Sequence, residues 1–93
     1  MNNTEAKSVL AQELSRYRER SYAELLSLVD ESETCEYTSE SGTTYQIEMQ
    51  VFIDDSSLRT LRVMGAIDEG GWRAFKPLCD DFIMAADGSF IGE

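Results

Sequence analysis

Paired carboxylates are the residues of this chain best suited to chemistry. They fall at Asp54-Asp55, Asp68-Glu69 and Asp80-Asp81, with Asp87 beyond them. Carboxylates that converge from several loops bind calcium or magnesium, or act as an acid and base pair. Spacing separates two of these pairs. Asp54-Asp55 and Asp68-Glu69 lie at opposite ends of a strand-like run, Leu58–Ile67, roughly 30 Å apart at ~3.3 Å per residue. Asp68-Glu69 approaches Asp80-Asp81 or Asp87 only where the last segment folds back. No run has calcium-loop spacing. The reading expected for these acids is that of turn residues, bonding their own backbone and staying solvated.

The missing residue types narrow the chemistry further. Histidine is absent, and with it the commonest general base and metal ligand. The two cysteines, Cys35 and Cys79, form no CxxC spacing, and Gly70-Gly71 lacks the lysine of a phosphate-cradling loop. Both cysteines are expected to be free thiols, partly buried as small apolar residues. No catalytic residue, metal or cofactor is expected. An enzyme using Asp68, Glu69, Asp80 or Asp81 is the third-ranked reading.

Acids outnumber bases by eighteen to eight, for a net charge of −10. Residues 1–33 hold seven acids and four bases, and residues 34–93 hold eleven and four, so the acidity concentrates after residue 33. A field of that sign repels nucleic-acid backbones and suits a basic protein partner. Arg16, Arg18 and Arg20 are the only basic cluster, and alternate helical residues do not share a face. Arg16 is expected to meet Glu13 or Glu19, and Arg20 to meet Glu24. The opening Met1–Glu5 is polar and no apolar run reaches membrane-spanning length. The expectation is a cytoplasmic chain of one domain, residues 1–93, with neither signal peptide nor membrane span.

These side chains must be positioned by a helix and several strands. Residues 4–29 predict a helix, capped by Asn3 or Thr4, with Leu10, Leu14, Tyr17, Ser21, Leu25 and Leu28 on one stripe. Ser21 and Glu24 ahead of Leu25-Leu26 also form a capping-box pattern, which divides the segment into two helices. One helix, bent near Arg20-Ser21, is preferred because the stripe keeps phase. Asp30-Glu31-Ser32-Glu33 ends it.

Tyr45 to Val51 alternates apolar and polar residues, the pattern of a strand with one dry face. Strands are predicted over Thr34–Ser39, Thr43–Ile53, Leu58–Ile67 and Asp81–Ala85, with Trp72–Leu78, which contains Pro77, an irregular edge or a short turn of helix. Turns fall at Ser41-Gly42 and Asp68–Gly71, and Asp87-Gly88 leads into Phe90-Ile91. Putting Tyr45, Ile47, Met49 and Val51 on the same face as Leu61, Val63, Gly65 and Ile67 requires odd positions to pair with odd. Val51 or Met49 then opposes Leu61, with an odd loop or a bulge between Ile53 and Arg59. Gly65 makes room for a ring such as Tyr17 or Tyr45.

The predicted class is α+β: an N-terminal helix packed on one face of a curled antiparallel meander of about four strands. In its order of elements this resembles the cystatin-like outline. The outer sheet face then carries Glu48, Gln50 and Phe52 beside Arg62 and Met64. Phe52 and Met64 are more apolar than water requires, and Trp72 or Phe75 is placed to join them. These residues form the candidate binding surface. The leading expectation is a non-catalytic interaction domain that forms a homodimer through this face. An acidic inhibitor or immunity-type protein for a basic partner is the alternative.

Overall fold

The computed structural model describes residues 2–69 and 77–93. Two helices, α1 (Asn3–Arg18) and α2 (Tyr22–Leu26), precede five strands: β1 (Ser32–Thr38), β2 (Thr44–Asp55), β3 (Thr60–Asp68), β4 (Leu78–Met84) and β5 (Phe90–Ile91). All the strands pair antiparallel in chain order, so the architecture is α+β with a meander sheet, as expected. There are five strands rather than about four, because the two-residue β5 pairs with β4 beyond the Asp87-Gly88 turn.

Asn2, rather than Asn3 or Thr4, caps α1: its side chain accepts from the Glu5 amide at 3.1 Å. Ala6, Val9, Leu10, Leu14 and Tyr17 recur every three or four residues and are buried against β3 and β4. The preference for one helix over residues 4–29 is overturned. α1 stops at Arg18, and Ser21 Oγ accepts from the Glu24 amide at 3.1 Å to start α2. The capping box prevails because a second start lets the chain bend. Tyr22 Oη then donates to the Arg59 carbonyl at 2.6 Å, and Leu25 is fully buried.

The alternating run forms β2 as its period demands. Tyr45, Ile47, Met49 and Val51 are buried, and Thr44, Gln46, Glu48 and Gln50 are exposed. Odd positions pair with odd: Ile47 with Ile67, Met49 with Gly65, Val51 with Val63 and Ile53 with Leu61. A bulge between Ile53 and Asp55 takes up the extra residue, as parity required. Partners lie further along β3 than expected, since Val51 faces Val63 and not Leu61. The turn occupies residues 56–59 instead of beginning at Asp54.

Gly65 makes room for the helix rather than for a tyrosine. A Cβ built there lies 2.7 Å from Leu10 Cδ1 and 2.8 Å from Met49 Sδ. β1 brings a second correction. Cys35 and Tyr37 pair with Ile47 and Tyr45 and so share their face, yet all of β1 is exposed. The helix layer packs chiefly on β3 and β4 and reaches β1 at its margin, where Tyr17 Oη donates to Glu33. Both cysteines are free but exposed, not partly buried. Of Trp72–Leu78, expected as an irregular edge or a short turn of helix, residues 72–76 lie outside the described residues, and Leu78 opens β4.

Candidate binding surface on the open sheet face

Paired residues share a face, so the register assembles the outer surface directly. Across β2 and β3, Glu48 faces Ala66, Gln50 faces Met64 and Phe52 faces Arg62. β4 continues the rows, with Cys79 beside Ala66, Asp81 beside Met64 and Ile83 beside Arg62. Glu48, Gln50, Phe52, Arg62 and Met64 are therefore brought together as expected. Trp72, the remaining candidate, and Phe75 lie outside the described residues. Phe52, Met64, Ala66 and Ile83 are half-buried by their neighbours, and Ile91 beside Ile83 is exposed.

Arg62 is an internal tie. Its Nε donates to Asp54 Oδ1 at 2.9 Å and its Nη1 to Asp81 Oδ2 at 2.5 Å. These bonds, Asp54 first, hold the guanidinium even more firmly protonated than usual. They join the end of β2 to β4 across β3. The Arg62–Asp81 contact needs the β3–β4 register, which no local pattern in the sequence encodes.

Further carboxylates serve turns or line the open face. Asp55 Oδ1 accepts from Ser57 N at 2.9 Å, Ser57 Oγ at 2.7 Å and Leu58 N at 3.1 Å. Asp87 Oδ1 accepts from Ser89 N and Oγ at 2.9 and 2.6 Å. In each case the serine hydroxyl is the first cause of a lowered carboxyl pKa. Glu36, Glu48, Asp54 and Asp81 remain on the outer face against Arg62, the one cation there among the described residues, and Asp68 closes the same face beside Gln46. A concavity of about 640 Å³ opens among Glu36, Gln46, Glu48, Ala66, Asp68 and Pro77. Among the described residues, no three His, Cys, Asp or Glu side chains converge to hold a metal ion.

Arg16, Arg18 and Arg20, at and just beyond the end of α1, each do something different. Arg16 meets Glu13 at 3.7 Å. Arg20 lies 4.5 Å from the centre of the Tyr17 ring and 3.8 Å from Glu33, so Glu33 takes the place expected for Glu24. Arg18 stacks on Phe82 and Phe90 at 4.7 and 4.9 Å and bonds Glu93 at 2.7 Å.

One polar cluster escaped sequence reasoning. Glu5 Oε1 accepts from Tyr45 Oη at 2.7 Å, Ser39 Oγ at 3.0 Å and Ser41 Oγ at 3.1 Å, fastening the start of α1 to the β1–β2 hairpin. The Tyr45 bond is the first cause of a lowered Glu5 pKa, and the same bond raises Tyr45 to about 12. The one available signal was Tyr45 itself, a hydroxyl at a dry position that had to find an acceptor. Compared with protein-family models, with curated proteins and with solved structures, the chain matches none.

Proposed function

We propose that this chain is a non-catalytic binding domain whose open sheet face takes a basic protein partner. One observation carries the reading: helices cover one face of the sheet, while the other sets half-buried Phe52, Met64 and Ile83 among carboxylates. Apolar residues supply the anchor and the acids select the charge of what lands on it. The net charge of −10 steers the same way. Face-to-face homodimerisation is the less favoured occupant, because among the described residues it sets Glu36, Glu48, Asp54 and Asp81 against their own copies with only Arg62 to offset them.

A small cytoplasmic acidic inhibitor, or an immunity-type protein for a basic partner, fits this description. The described residues contain no helix long and apolar enough to cross a membrane. The cystatin-like outline adds no function of its own, since one frame serves many unrelated tasks.

The test is a titration of the labelled protein with a synthetic lysine–leucine peptide, followed by amide chemical shifts. Shifts are expected at Glu48, Met64, Ala66 and Asp81, with binding that weakens as salt is added. Equal binding by Glu48→Lys, or shifts confined to α1 and α2, would overturn the reading.

A further inference from the structure

β1 is the outermost strand of the sheet, and all seven of its residues are exposed. The direction of its backbone groups follows from the hairpin beside it, where Ser39 N donates to Thr43 O at 2.9 Å. Antiparallel ladders alternate hydrogen-bonded and non-hydrogen-bonded pairs. Glu33, Cys35 and Tyr37, in step with Ser39, therefore direct their amides and carbonyls to β2. Ser32, Thr34, Glu36 and Thr38 direct theirs outward, where no strand of the described residues lies.

We infer that this edge pairs antiparallel with the same edge of a second copy, about a two-fold axis at Cys35. Only outward-directed residues can exchange backbone bonds, which leaves few registers. A two-fold at Glu36 sets that carboxylate directly against its own copy, a destabilising arrangement. A two-fold at Thr34 leaves Tyr37 and Thr38 without partners. The two-fold at Cys35 pairs Ser32 with Thr38 and Thr34 with Glu36, and it sets Glu33 beside Tyr37. Every residue of β1 is then matched and no carboxylate faces another. The edge contains neither proline nor bulge, the usual devices against such pairing. Two copies joined this way continue one sheet through both molecules.

Cys35 meets its own copy in a non-hydrogen-bonded pair, where Cα atoms approach to about 4.5 Å, within the range a disulfide spans. Cys79 lies on the outer face beside Ala66 and reports on that surface instead. The two cysteines thus distinguish edge pairing from face pairing. Salt provides a second distinction. Two chains of charge −10 repel, so edge pairing strengthens with salt, whereas a basic peptide on the outer face binds more weakly.

The experiment combines sedimentation velocity at low and high salt with copper–phenanthroline oxidation of Cys35→Ser and Cys79→Ser. Expected are a dimer that grows with concentration and with salt, and a reducible covalent dimer from Cys79→Ser but not from Cys35→Ser. Thr34→Pro removes an outward amide that the β1–β2 ladder does not use, so it should leave the fold intact and weaken dimerisation at least ~10-fold. A monomer under all conditions overturns the inference, as does a folded Thr34→Pro that still dimerises. Cross-linking through Cys79 alone, or equally through both cysteines, also overturns it. Should Thr34→Pro not fold, the cysteine variants decide the question alone. None of these outcomes depends on whether the outer face takes a basic partner.

Discussion

Gly65 and Arg59 are two positions where the local geometry favours a glycine. At Gly65, α1 approaches β3 so closely that an added Cβ meets Leu10 and Met49 at under 3 Å. Both contacting atoms are side-chain ends, so the core yields partly and does not collapse. Gly65→Ala is expected to destabilise the fold by about 1–2 kcal/mol, read from the urea midpoint at unchanged slope. Arg59 is the opposite case. It closes the β2–β3 turn at φ 59°, a conformation that opposes its side chain. Its carbonyl accepts from Tyr22 whatever the side chain is. Relief of about 1–2 kcal/mol, less the about 0.5–1 kcal/mol that glycine loses in chain entropy, makes Arg59→Gly stabilising by about 0.5 kcal/mol. A lower midpoint in Arg59→Gly would contradict this account of the turn.

Among the elements, α2 depends most on one side chain. A helix of five residues has little intrinsic stability, and Ser21 supplies a partner for one of its unpaired amides. Ser21→Ala is expected to cost about 1 kcal/mol, and exchange of the Glu24 amide should accelerate more than that of the β3 amides. This helix was legible in the sequence, since Ser21 and Glu24 spelled its start, but the uninterrupted stripe argued for continuity. The β2–β3 pairing was legible down to the parity and the bulge, because a period of two leaves one choice of face. Its partners were not, because the length of a turn is set by Asp55 bonding Ser57 and Leu58, a local choice that the alternation does not see. Cys35 and Tyr37 show the same limit. The β1–β2 register places them on the helix side, but only the tertiary position of α1 decides whether that side is covered. The candidate surface divides likewise. Its β2 and β3 residues followed from alternation, while Asp81 and Ile83 required the register of β4.

At the scale of the whole molecule, the pH dependence of stability follows from groups that lie far apart in the fold. Glu5, Asp55 and Asp87 all have lowered pKa values, led by bonds from Tyr45, Ser57 and Ser89 respectively. A lowered carboxyl pKa adds stability that is present above the unfolded value and is lost as pH falls through the folded one. Acid should therefore destabilise the protein from about pH 4.5 downward. Tyr45 sets the opposite limb. Its pKa of about 12 exceeds the ordinary 10.0, so the folded state retains a proton that the unfolded chain releases. That contribution is complete below pH 10 and is lost as pH rises toward 12. Tyr17, raised first by burial and then by the Glu33 carboxylate, steepens the same limb. Glu5→Gln tests both ends in one variant, because Glu5 is the shared partner of Tyr45, Ser39 and Ser41. Its urea midpoint should lie below that of the parent near neutral pH. The two should converge in acid, where the parent's Glu5 is itself protonated. At the alkaline end Glu5→Gln should decline more gradually, since Tyr45 no longer faces a charge. Parallel curves for the two proteins across the acid range would remove Glu5 from this account and leave the acid limb to the turn residues Asp55 and Asp87.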